Sequence, residues 1–166
     1  MKGEKEIEML LGTLEQSFIF AVMVLGVYIS YKILDFPDMT VDGSFPLGAA
    51  VAAASIVKGV NPVLALILAM AAGAAAGFIT GMIHVKLRVT NLLAGIIVMT
   101  GLYSINLRIM GKSNIPLFSV KHLFNGNVSA IVVVAVILLI VKLGMDFLLK
   151  TKFGFALKAL GDNESL

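Results

Sequence analysis

The feature that most constrains this chain is a series of apolar runs with almost no charge in them. One of them, "IVVVAVILLIV" from Ile131 to Val141, lies inside a stretch from Ser129 to Leu149 whose only charges, Lys142 and Asp146, come near its end. Runs of about 18 or more apolar residues read as membrane-spanning helices. Composition agrees: 59% of residues are hydrophobic and 14% charged, against about 45–50% and about 25% in soluble domains. The expected class is therefore an all-α polytopic membrane protein embedded in a lipid bilayer.

The runs divide the chain into about five membrane segments. The first is expected over Gln16 to Leu34, ending in Tyr28, Tyr31 and Lys32, residues suited to a membrane–water interface. The second, Phe45 to Val57, is too short to cross about 30 Å of hydrocarbon at ~1.5 Å per residue. It is expected to be a broken, re-entrant half-helix. Gly59 and Pro62 then mark a turn. The third, fourth and fifth spans are expected over Pro62 to Ile83, Asn91 to Met110 and Ser129 to Leu149.

Basic residues mark cytoplasmic loops. Lys86 and Arg88 mark one, and Lys150, Lys152 and Lys158 another; two spans separate them, so the parity agrees. The loop from Gly111 to Val128 is then outside. A full second crossing puts the N-terminus outside, and a half-span puts it inside. The short second segment favours the half-span.

Several chemistries are excluded. Without cysteine there is no disulfide framework, thiolate metal site or cysteine nucleophile. His84 and His122 stand far apart, so neither suggests a metal site. No basic stripe interleaved with aromatics points to nucleic acid. "MGKS", Met110 to Ser113, imitates the end of a phosphate-binding loop, but that pattern needs glycine where Asn106 stands and a strand where an apolar helix stands. No acid pair or Ser–His–Asp set suggests an enzyme, and nothing calls for a cofactor.

Three features remain as candidates. Gly73, Gly77 and Gly81 recur every four residues, a face that lets another helix approach closely. Gly48, Ala52 and Ser55 offer a matching surface within one subunit, and a subunit interface is the alternative. Thr100, Ser104 and Arg108, with Tyr103 beside them, share one face of the fourth span. They line a pathway, or Arg108 snorkels outward and the hydroxyls bond their own helix. Finally, "DFPDMTVDGSFPLGAA" breaks the apolar pattern with Pro37, Gly43 and Pro46. Asp42 and Ser44 are helix-capping types, so a helix is expected to begin near Phe45. Its free N–H groups could face a transported anion.

"FPDMTVDGSFPLGAAVAA", "MTGLYSINLRIMG" and "TKFGFALKALGDN" together resemble the permease subunits of bacterial ABC importers. The branch resembled works with lipoprotein binding proteins for aromatic or related amino acids, and is akin to the branched-chain amino acid and ribose permeases. The resemblance covers nearly all of the chain and implies a single transmembrane permease domain over 1–166 in the bacterial cell membrane. It implies an ABC ATPase subunit, a substrate-binding lipoprotein and a second permease copy as partners. It makes residues 151–163 a cytoplasmic coupling loop, in which Gly154, Phe155, Lys158, Leu160 and Gly161 meet the ATPase. Permeases of this family continue through further membrane helices, so this chain is expected to be roughly the N-terminal half. The rival reading is a small oligomeric channel-like or scaffolding protein assembled through its glycine row.

Overall fold

A computed structural model describes residues 2–112, 114–115, 117 and 130–162, with side chains undescribed at 2–5 and 8. The described residues are all-helical, with six α-helices and one π-helical turn. We number them α1 (Lys2–Tyr28), continued by a π-turn (Ile29–Ile33), α2 (Thr40–Val57), α3 (Pro62–Leu87), α4 (Asn91–Met110), α5 (Ala130–Leu149) and α6 (Lys152–Asp162). Among the described residues, five segments are long and apolar enough to cross a membrane: Met9–Ile33 and the whole of α2, α3, α4 and α5.

The expected spans reappear, the fourth with unchanged bounds and the others with shifted ends, and one shift alters the topology. The helix expected near Phe45 begins at Thr40, so α2 has 18 residues. At ~1.5 Å per residue it is about 27 Å long, enough to cross. The short length that argued for a half-span is thus corrected. Asp42 and Ser44 are not caps either. Asp42 lies in the first turn of α2, and the flanking residue Met39 makes no side-chain cap. The cap bond comes from one residue earlier still: the Thr40 N–H donates to Asp38 Oδ1 at 2.8 Å. An aspartate reaching back over the first turn satisfies a donor that the helix itself leaves open. Pro46 is inside α2, where its missing N–H deprives the Asp42 carbonyl of its usual helical donor.

The single domain expected over 1–166 takes the form of two compact units: residues 37–125, and residues 1–36 with 126–166. In the first, α2, α3 and α4 pack on one another. The α2–α3 turn follows local rules. Gly59 takes a left-handed φ of +84°. Asn61 then caps α3, its Oδ1 accepting from the Val63 N–H at 2.9 Å, with Pro62 at the first helical position. The core is Leu47, Ala76, Val98 and Leu102, with Val51, Ala72 and Ile83 against it.

In the second unit α1 packs on α5, and α6 touches both the end of α5 and the π-turn. Gly154 and Gly161 make those two contacts. A Cβ on Gly154 would lie 2.5 Å from the Leu148 carbonyl oxygen, and one on Gly161 would overlap the Ile33 carbonyl oxygen. Spaced seven apart, the two glycines fall on one face of α6. The C-terminal ends of α1 and α5 therefore lie at the same end of this unit, and the two helices run parallel.

Candidate functional site

The sites expected from sequence fall in three places. The fourth-span row is on an outer face of its unit: Thr100, Ser104 and Arg108 are exposed, and Tyr103 is 68% exposed. Thr100 Oγ1 donates to its own helix, to the Ile96 carbonyl at 2.8 Å. Asp42 is exposed and Ser44 half-buried, with Ser44 Oγ reaching back to the Val41 carbonyl at 3.4 Å. No hydrogen bond joins the α2 pair to the α4 row among the described residues. A polar row on an otherwise apolar membrane helix is stable when it faces protein or a water-filled cavity rather than lipid. Among the described residues this face is open.

The glycine row requires a correction. Among the described residues, nothing lies within 4 Å of where a Cβ on Gly73, Gly77 or Gly81 would be. The α3 stripe turned inward is Ala65, Ala76 and Thr80, all buried, with the partly buried Ala72 and Ile83. One residue is ~100° around a helix, so the row starting one position later points elsewhere. Of the matching α2 surface, Gly48 does face α3, where a Cβ on it would lie 3.9 Å from the Ala69 carbonyl oxygen, and Ala52 is half-buried.

Sequence reasoning missed the polar groups that are buried. Thr40 and Thr80 are each 1% exposed, and their hydroxyls lie 2.6 Å apart, tying α2 to α3. Thr80 also donates to the Ala76 carbonyl at 3.2 Å. Asn106, 8% exposed, donates from Nδ2 to the Gly43 carbonyl at 3.4 Å, tying α4 to α2. Its Oδ1 is buried and has no hydrogen-bond partner among the described residues. Two glycines let these helices close: a Cβ on Gly43 would lie 2.9 Å from Met99 Cα, and one on Gly95 2.8 Å from the Met39 nitrogen. The signal was present in the spacing. Gly95, Val98, Leu102 and Asn106 fall at i, i+3, i+7 and i+11, one stripe of α4 that includes an asparagine.

The third place is α6. Phe155 is 64% and Leu160 56% exposed, and Lys158 is exposed with its Nζ 5.8 Å from the Phe155 ring centroid, a cation–π distance. Gly154 and Gly161 face their own chain and are not part of that outward surface. Lys142 and Asp146, one turn apart, form an ion pair at 2.9 Å on the surface of α5 near its end. Most of the loop from Gly111 to Val128, including His122, and Asn163 lie outside the described residues.

A five-span helical unit ending in a short amphipathic helix can be set beside known proteins. Residues 9–166 match the family described as "Branched-chain amino acid transport system / permease component". The chain belongs to that family. It is 53% identical over 157 residues to a "Tyrosine transport system permease protein" of Clostridioides difficile (strain R20291), covering 95% of this chain and 53% of that one. It is 41% identical over 163 residues to an uncharacterized protein of Rickettsia prowazekii (strain Madrid E), covering 95% of this chain and 56% of that one. The permease chain thus spans about half the length of the curated relatives it matches. No solved structure matches it. It is a multi-pass membrane protein of a transporter family.

Proposed function

We propose that this chain forms the membrane path of an ATP-binding-cassette importer for an amino acid, tyrosine or a close relative, together with the rest of the permease. The observation that carries the reading is the family match over residues 9–166, joined to 53% identity with a permease named for tyrosine transport. The chain would do no covalent chemistry. An ABC ATPase would supply the work, a substrate-binding lipoprotein the solute, and a second permease copy the other wall.

In this reading the loop 151–163 meets the ATPase through the outward residues Phe155, Lys158 and Leu160, while Gly154 and Gly161 seat it on its own chain. What supports it is the two-sided character of α6: glycines on the inner face, and Phe155, Lys158 and Leu160 outward. Aromatic and aliphatic side chains at this exposure suit an apolar groove, with Lys158 at its rim for an acidic group. The α4 row of Thr100, Tyr103, Ser104 and Arg108 is the proposed pathway wall, with Asp42 and Ser44 of α2 as further candidates. Hydroxyls and a guanidinium would exchange hydrogen bonds with an amino acid's polar groups as it passes.

The test is co-purification with a co-expressed ABC ATPase subunit from the same genome, before and after Phe155→Ala with Leu160→Ala. Loss of association with retained membrane insertion is expected. Unchanged association would remove α6 from the interface. Tyrosine uptake by the complete system, competed by other amino acids, tests the substrate; indifference to tyrosine would overturn that assignment. The open faces of Gly73, Gly77 and Gly81 favour one rival, a small oligomer joined through α3. It requires self-association without any ATPase, and cross-linking of the isolated chain distinguishes the two.

A further inference from the structure

We infer that Gly161 is a positioning residue that seats α6 on the π-turn closing α1, and that this joint puts the break between α1 and α2 on the cytoplasmic side, where α6 drives it.

The side follows from three constraints. Lys150 precedes α6 and Lys152 and Lys158 lie in it, and basic loops stay in the cytoplasm. Gly154 holds one end of α6 against Leu148 and Leu149, and Gly161 holds the other against the Ile33 carbonyl. Seven residues of helix separate the two contacts, about 10 Å, far less than the ~30 Å of hydrocarbon. The π-turn thus shares the cytoplasmic end with α6. The link from Leu34 to Met39, between the π-turn and α2, extends over about 20 Å at most. It does not cross a bilayer, so α2 begins in the cytoplasmic half.

Chain order supplies an independent check. Starting inside, α2 exits, α3 returns, and Lys86 and Arg88 at its end fall in the cytoplasm. A half-span for α2 would put the end of α1 outside, away from α6. Residues near the start of α1, such as Glu6, then lie outside.

The joint is built to transmit movement. At the π-turn the Leu34 N–H donates to the Ile29 carbonyl at 3.1 Å, and the Phe36 N–H to the Ser30 carbonyl at 2.9 Å. These wide bonds mark a locally unwound helix end, and such turns recur at functional sites. Asp35 follows with φ +50°, a left-handed residue that reverses the chain out of the helix. Because Gly161 has no side chain, α6 rests directly on backbone there. A push on α6 reaches the turn without a flexible side chain between them.

The chain has no cysteine, so single cysteines report cleanly. In intact cells a membrane-impermeant maleimide is expected to label Glu6→Cys and Asn114→Cys. Pro37→Cys and Lys152→Cys are expected to label only after permeabilisation. Pro37→Cys labelling in intact cells, or Glu6→Cys staying silent there, overturns the joint. The driving role rests on the reading of α6 as the ATPase contact. With the ATPase bound, nucleotide is expected to change the labelling rate of Pro37→Cys in permeabilised membranes. Gly161→Val is expected to abolish that change while the ATPase still co-purifies, and Gly161→Ala to reduce it. A nucleotide response surviving Gly161→Val overturns the role of Gly161 and leaves the importer reading standing. Loss of association in Gly161→Val would make Gly161 part of the ATPase interface, which also overturns it. Failure of the unaltered chain to bind the ATPase fails the importer reading, and the labelling pattern still judges the joint.

Discussion

Gly43 and Gly95 sit where backbones nearly touch, while Gly73, Gly77 and Gly81 look onto an open face of α3. All five are in the same unit, and all five are the same residue. They differ in the stripe of the helix to which they belong. On α4, Gly95 shares a face with Val98, Leu102 and Asn106, so it meets the start of α2. On α3 the inward stripe is already filled by alanines and Thr80, which are small enough for close contact, and the glycines fall beside it. A regular GxxxG pattern thus marks a surface available for close approach, and the neighbour that uses it need not be in the same chain.

That contrast can be broken by substitution. The largest effect is expected from Gly95→Leu. Its side chain would collide with the Met39 nitrogen and with Asp38 Oδ1, 2.8 and 3.1 Å from the Cβ position, and would dislodge the bond that starts α2. Overpacking of this kind costs about 1–3 kcal/mol or more, read as a lower thermal midpoint in detergent. Gly43→Val follows, because its Cβ meets Met99 Cα at 2.9 Å, which is backbone and yields less easily than a side chain; a similar cost of about 1–3 kcal/mol is expected. An unchanged midpoint in either variant would mean that α2 and α4 are farther apart than described.

Smaller effects concern the buried polar ties. Thr40→Val and Thr80→Val, singly and together, isolate the hydroxyl bond at 2.6 Å. A coupling of roughly 0.6–1.7 kcal/mol is expected for an interhelical bond in a membrane protein, and additive losses would show that the two threonines act separately. Asn106→Leu is expected to change stability by less than about 1 kcal/mol, because it removes one weak bond together with an unpaired buried oxygen. A much larger loss would show that Asn106 Oδ1 has a partner from outside the described residues. Gly77→Ala should be smallest, with the midpoint of the isolated chain unchanged or raised by the better helix former, by at most about 1 kcal/mol. A clear loss in the isolated chain would mean that the open face of α3 is already packed.

Much of the fold was legible because lipid imposes a simple rule. Backbone polar groups must be satisfied within each span, so an apolar run of sufficient length is a helix. The fourth span was read as Asn91 to Met110, the bounds found for α4. The break before α2 was legible too, through its prolines and aspartates. Its boundary was misjudged because Asp42 and Ser44 have the chemistry of caps, and only Asp38 stands where its carboxylate reaches the Thr40 N–H. The polar residues chosen as candidates were the ones most conspicuous in the sequence. The buried ones, Thr40, Thr80 and Asn106, are no more polar. Burial depends on rotation about each helix axis, and apolar residues on every side leave that rotation almost unmarked.

The sequence by itself determined that the chain lies in a membrane as helices, roughly where those helices fall, and to which family it belongs. Each of these depends on composition along the chain or on extended matching of residues. Only the tertiary structure decided which faces meet. It turned the glycine row of α3 outward and closed α2 onto Gly95. It also laid Gly161 on the backbone of the π-turn, which brings the ends of α1 and α5 together. The reason is physical: in lipid nearly every face is apolar, so packing geometry and a few hydrogen bonds, rather than hydrophobicity, select the contacts.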